Sequence, residues 1–302
     1  MKDQAERLRE MANQVRQQIE NELKQQVHRA RVVAISSGKG GVGKSTLALN
    51  LALVLSSQGK EVLLLDVDMG MANLDVMLGM VPKYNLFHMI QGKKSLDEII
   101  IAGPQGVSII PGGSGIQELA NLPAGDMKRL LVELGRLDND YDYVLLDTGA
   151  GISQNVTTFL LAADDAIIVT SPEPTALTDA YGVLKSMHRA SYKGKVYLVV
   201  NRVADDSEGI LVGEKLKMVA EKYLDLEVVV LGHIINDSSV TKGIRRQQPF
   251  VEIYPHSQAA RNIEHIAKHL LESNGDLFPD ELQEIKPAGI KNFFKRIVNS
   301  LK

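Results

Sequence analysis

From Arg31 to about Ser273 short apolar runs alternate with amphipathic stretches. The strand candidates are 31–36, 61–66, 107–110, 142–147, 166–170, 196–200 and 228–235. Most are continuous rather than alternating, as in Val62-Leu63-Leu64-Leu65 and Tyr143-Val144-Leu145-Leu146. Strands covered on both faces require that pattern. Between them, 47–55, 125–138, 176–190 and 257–272 carry helical character. The alternation predicts an α/β fold, a doubly wound and mostly parallel sheet, with ligands at the carboxyl ends of its strands.

The flanks follow other rules. Residues 1–27 are rich in Gln, Glu and Arg and lack Gly and Pro. Leu8, Met11, Val15, Ile19 and Leu23 form a stripe too narrow for the main core. This predicts an N-terminal arm, 1–27, ahead of one domain, 28–273. Residues 274–289, with Asn274, Gly275, Pro279, Pro287 and Gly289, read as a linker. In 290–302, Ile290, Phe293, Phe294, Ile297, Val298 and Leu301 share one helical face, and Lys291, Lys295, Arg296 and Lys302 occupy other positions. The spacing predicts an amphipathic helix with a basic polar side, free to move on its linker.

Composition narrows the class. A net charge of -3 argues against strong general affinity for nucleic acid. Absence of cysteine excludes disulfides and thiolate metal sites. No stretch approaches the roughly 18 apolar residues of a spanning helix. The charged N-terminus is unlike a signal peptide, so a cytoplasmic location is expected.

Candidate chemistry concentrates after the first strand. Residues 38–46 read Gly-Lys-Gly-Gly-Val-Gly-Lys-Ser-Thr and fit a phosphate loop through Gly38, Gly43, Lys44 and Ser45. Gly38, Gly40, Gly41, Val42, Gly43 and Thr46 lie where loop amides wrap an anion, and a helix starting near Lys44 adds its positive end. Lys44 can reach the β- and γ-phosphates, and Ser45 can hold Mg2+. One strand ends in Asp66-Val67-Asp68 and another in Asp147. An apolar strand ending in Asp fits a Mg2+-binding Walker B element. At a further strand end, Asn201-Arg202, the usual guanine-reading carboxylate is replaced by Ala204, which favours ATP over GTP.

The second lysine of the loop, Lys39, is not needed by an ordinary phosphate loop. The run Lys39-Gly40-Gly41-Val42-Gly43-Lys44-Ser45 resembles the deviant Walker A motif of the MinD/ParA family of ATPases. The resemblance implies ATP and Mg2+ as cofactors, an ATP-bound homodimer, and Lys39 crossing to the partner subunit's nucleotide. Asp66 to Asp75 is similar to the family's switch I, which implies Asp68 as the residue positioning the attacking water and Asp66 nearer the metal's outer shell. Asp147-Thr148-Gly149-Ala150-Gly151 resembles switch II, with Gly149 in place of the family's proline and Gly151 offering its N–H to the γ-phosphate. Asn201, Arg202 and Pro255 take base-side positions by the same comparison.

Asp3-Gln4-Ala5-Glu6-Arg7-Leu8-Arg9 resembles the helix ahead of the fold in the flagellar FlhG (YlxH) branch of that family. It implies that Gln4 enters the catalytic site of the GTPase FlhF, with Leu8 and Arg9 as docking contacts, and that flagellar C-ring components are further partners. The tail resembles the family's C-terminal membrane-targeting helix. That implies reversible, peripheral attachment to the anionic inner face of the cell membrane. A cell-division-site MinD ATPase and a ParA-type DNA-partition ATPase are the alternatives. The arm argues against the first and the amphipathic tail against the second.

Overall fold

The computed structural model describes residues 29–68, 74–112, 122–275 and 287–301. Gln4, Leu8 and Arg9 lie outside the described residues. The strands are β1 (Arg31–Ser37), β2 (Val62–Asp66), β3 (Ile101–Ala102), β4 (Ser108–Ile110), β5 (Tyr143–Ala150), β6 (Asp165–Thr170), β7 (Lys195–Val203) and β8 (Val229–Ile235). They form one sheet in the order β3-β4-β2-β5-β1-β6-β7-β8. Only the two-residue edge strand β3 is antiparallel to its neighbour.

The helices are α1 (Lys44–Ser57), α2 (Leu74–Leu78), α3 (Leu86–Ile90), α4 (Leu96–Ile99), α5 (Ala124–Leu134), α6 (Leu137–Asp140) and α7 (Gln154–Ala162). They continue with α8 (Pro174–Arg189), α9 (Asp206–Leu224), α10 (Ser238–Arg246), α11 (Phe250–Ile253), α12 (Gln258–Ser273) and α13 (Ile290–Leu301). None is long and apolar enough to cross a membrane.

Successive side chains of a strand face opposite ways, so the sheet divides the core in two. Val32 and Ala34 of β1 enter one apolar cluster, and Val33 and Ile35 the other. In the second cluster, α1 is buried nearly all round, between the sheet and α12. Such burial suits its run Leu47-Ala48-Leu49-Asn50-Leu51-Ala52-Leu53. The first cluster holds a difference from expectation: it includes the tail.

Helix α13 forms as its spacing predicts, but its apolar face is turned into the body. Ile290, Phe293, Phe294, Ile297 and Val298 are all at most 5% exposed. The Phe293 ring stacks on Phe159 of α7 at 6.4 Å and meets Phe294 edge-on at 5.1 Å. The described backbone before the helix is anchored as well. Ala288 N donates to Asp164 Oδ1 at 3.0 Å, and Ile290 N donates to Asp138 Oδ1 at 2.7 Å. Asp138 therefore serves as an N-cap supplied by the body, since neither Ala288 nor Gly289 has a capping side chain. Gly289 has φ 85°, and a Cβ there would lie 2.6 Å from Asp138 Oδ1. At the other end of 274–289, Asn274 is buried: Tyr197 OH donates to its Oδ1 at 2.9 Å. The expected freely moving tail is thus a docked helix whose described flanks are tied to the body. The side chain of Leu301 lies outside the described residues.

Candidate nucleotide site

The carboxyl ends of β1, β2 and β5 converge. The chain leaves β1 at Ser37, turns through 38–43, and enters α1 at Lys44. Gly43 makes that turn with φ 97°, and a Cβ there would lie 2.2 Å from Asn201 Nδ2. Gly40 and Gly41 form the exposed crest. The open N-terminus of α1 faces the loop, where a phosphate would meet its unpaired amides.

Lys44 Nζ lies 2.7 Å from Asp147 Oδ1, with both side chains almost fully buried. Burial raises the Asp147 carboxyl above the ordinary range, and Lys44 opposes that shift. The Ser45 hydroxyl approaches the same carboxylate. Asp147 Oδ2 is buried and has no hydrogen-bond partner among the described residues. A buried, unsatisfied carboxylate oxygen beside a serine hydroxyl is a donor set that suits Mg2+ shared with phosphates. The residues present therefore fit the metal and the nucleotide.

Asp66 stands beside Asp147 in the β2–β5 register. Burial, followed by the charge of Asp147, pushes its pKa from 3.8 to about 7. Its Oδ1 accepts from Asp68 N at 3.0 Å, which turns the chain so that Asp68 follows at the mouth. Gly149 fits closely there: a Cβ on it would lie 3.1 Å from Val156 Cγ2 and 3.6 Å from Asp68 Oδ1. Strand β5 runs through Gly149 to Ala150, beyond the expected end at Asp147. Gly151, with φ 92°, donates its N–H to Ser37 O at 2.7 Å. The N–H expected to meet a γ-phosphate is occupied in this conformation.

Lys39 is placed apart from this centre. Its Nζ lies 2.9 Å from Glu173 Oε2 and 3.1 Å from Thr175 Oγ1, at the start of α8. The side chain is 40% exposed. Asn201 braces the loop, its Nδ2 donating to Val42 O at 2.7 Å. Arg202 N donates to Asn201 Oδ1 at 2.9 Å, and Arg202 adopts a left-handed φ of 61° at the exposed strand end.

The turn that meets this strand end is the one after β8: Asn236 N donates to Val203 O at 2.9 Å. Pro255 sits in the α11–α12 connection. Sequence reasoning missed Asn50, which braces the helix behind the loop. Buried Asn50 donates to Thr46 O at 2.8 Å and accepts from Val251 N at 3.2 Å, tying α1 to α11. A polar residue inside an otherwise apolar helix was the available signal for Asn50.

A glycine loop between β1 and a buried helix, with a lysine–aspartate pair at its base and acids on two neighbouring strand ends, defines a phosphate-loop nucleotide hydrolase. Comparison with known proteins gives the branch. An AAA domain family matches residues 30–198. Antiactivator FleN of Pseudomonas aeruginosa is 35% identical over 242 residues, 80% of this chain and 86% of that protein. Flagellum site-determining protein YlxH of Helicobacter pylori is 36% identical over 274 residues, 90% of each. The septum site-determining protein MinD of Pyrococcus horikoshii, solved with Mg-ADP, superposes with a TM-score of 0.66 at 26% identity, over 82% of this chain and 98% of that one. The chain belongs to the MinD/ParA family of ATPases and hydrolyses ATP.

Proposed function

We infer that this ATPase is a dimerising switch that controls flagellar number and placement. The carrying observation is the split of the two loop lysines. Lys44 closes on the buried carboxylate of Asp147, while Lys39 is held outward by Glu173. A cation on the rim serves a nucleotide in a second subunit better than its own, offsetting charge on the transferring phosphoryl group. With Mg2+-ATP bound, Lys44 and the loop amides hold the phosphates. Ser45 and Asp147 hold the metal, with Asp66 behind them, and Asp68 aligns water. Asn201 and Arg202 flank the base side.

The flagellar assignment is supported by the likeness to FleN and YlxH together with the Gln4, Leu8 and Arg9 motif. In this reading the arm stimulates the GTPase FlhF, and C-ring components are further partners. The tail adds a reversible hold on anionic membrane. Its apolar face must first leave the body, exchanging one apolar environment for another. Five buried side chains at about 1.5–3 kcal/mol each are at stake, and release also bares the face of the body that they cover, so attachment needs the membrane to recover that burial. The test is FlhF's GTPase rate with full-length protein and with residues 1–20 removed. Stimulation should vanish with the arm while ATP-dependent dimerisation persists; undiminished stimulation would refute the assignment.

A further inference from the structure

The switch I segment that begins at Asp68 is held on both sides, and the second hold comes from far along the chain. On the near side, Asp66 Oδ1 accepts from Asp68 N at 3.0 Å. On the far side stands α2, five residues long, with Leu74 buried and Val76 largely exposed. A helix this short leaves its last carbonyls without helical partners. Gln247 meets one of them: its Nε2 donates to Val76 O at 3.0 Å, across 171 positions of sequence. The same side chain lies over Gly79, where a Cβ would stand 3.2 Å from Gln247 Oε1.

Gln247 can hold α2 because its own backbone is fixed. It ends α10 in the left-handed region, with φ 54°, and its N–H donates to Ile244 O at 3.1 Å. Gln248 N donates to Gly243 O at 3.1 Å, and the Arg246 guanidinium lies 5.8 Å from the Tyr254 ring. Val251 N in turn donates to Asn50 of α1 at 3.2 Å. A connected line therefore runs from the helix behind the phosphate loop, through Asn50, Val251 and Gln247, to Val76 in the switch. Glycine or asparagine is the ordinary residue at such a left-handed helix end. A glutamine there keeps a less favourable backbone together with a longer side chain, and strain of that kind marks a side chain with a task. Both Gln247 and Val76 are exposed, so water competes for their bond and its main effect is placement.

We propose that Gln247 is a positioning residue for hydrolysis. It fixes where the switch I segment rejoins the body relative to α1, and so keeps Asp68 in line with the nucleotide. A segment anchored on one side only has more paths open to it, and a misplaced path loses the alignment of the attacking water. The effect on hydrolysis rests on the water-aligning role of Asp68 proposed above; the anchoring of α2 does not.

Two substitutions separate placement from folding. Gln247→Gly suits the left-handed backbone and deletes the side chain. Gln247→Glu keeps the length but, when ionised, has no proton to donate. Both should keep the ATP-dependent dimer fraction seen by light scattering, and Gln247→Gly should keep the melting temperature. Both should lower kcat by about tenfold or more with KM for ATP nearly unchanged, since a small misplacement caused far from the chemistry can cost about a hundredfold. Hydrogen exchange at the α2 amides should quicken. In an Asp68→Ala background either substitution should leave the residual rate where it is, because residues acting as one unit are not additive. An unaltered kcat in both variants would overturn the proposal. So would a loss of rate explained wholly by fewer dimers, or a further loss of the same size on top of Asp68→Ala. An unaltered rate in Asp68→Ala alone would refute the water-aligning role and the step from anchor to Asp68. Unaltered α2 exchange in the Gln247 variants would refute the anchor itself.

Discussion

Lys39 and Glu173 are 134 positions apart in sequence and 2.9 Å apart in space. The pair lies on the rim, where exposed ion pairs contribute little to stability. Its consequence is placement: the lysine that marks this family is stationed on the outer wall, clear of its own subunit's Lys44–Asp147 centre. Lys39→Ala should therefore leave the melting temperature almost unchanged and abolish ATP-dependent dimerisation. Light scattering with Mg2+-ATP checks this. A fully dimeric Lys39→Ala protein would contradict the role.

Asp68 should separate binding from hydrolysis. Asp68→Ala removes the group assigned to water alignment and leaves the loop, Lys44 and Ser45 intact. Since phosphoryl transfer depends mainly on alignment and charge, hydrolysis should fall by roughly two orders of magnitude or more while ATP still binds. The variant should accumulate as a dimer in ATP.

Asp66 predicts a pH dependence of the ligand-free protein. Burial, then Asp147, raises its pKa from 3.8 to about 7, so the folded state holds a proton that the unfolded state releases near pH 4. The native state then binds more protons than the unfolded state between these values. This contribution to stability is complete below about pH 4 and is lost as pH rises towards 7. Asp66→Asn removes the penalty. It should melt several degrees above the unaltered protein at pH 8 and close to it at pH 4. A melting difference that did not grow with pH would count against a protonated Asp66.

The sheet was legible because strands buried on both faces read as unbroken apolar runs. The phosphate loop was legible because its glycines and lysine are adjacent in sequence. The rest depends on partners far along the chain. Thr148-Gly149-Ala150 has no apolar signature, so nothing local shows that β5 continues beside Ser37 into the switch. Asn201 reads as a base-side residue until its amide is seen on Val42 O. The tail is the clearest case. The 3-1-3-1-3 spacing specifies an apolar face and leaves its occupant open, since lipid and protein select the same pattern. Asp138 and Asp164, the two carboxylates that settle its docking here, lie more than 120 positions earlier.

The exposed side of the tail offers a clean test of membrane attachment. Lys291 and Lys295 are exposed, whereas Phe293 is buried. Lys291→Glu with Lys295→Glu should leave the melting temperature unchanged and weaken co-sedimentation with anionic vesicles, since each basic residue near such a surface contributes about 1 kcal/mol. Phe293→Glu mixes two effects, because it also places a charge in the docked face. Unchanged vesicle binding by the double lysine variant would remove electrostatics from the account.

The central claim is that ATP works by joining two subunits, each supplying Lys39 to the other. The most direct measurement is the ATPase rate per protomer as a function of protein concentration. The account predicts a rate that climbs with concentration until dimers saturate, together with a flat and low rate for Lys39→Ala. A per-protomer rate independent of concentration, well below the range where dimers form and shared by Lys39→Ala, would contradict it.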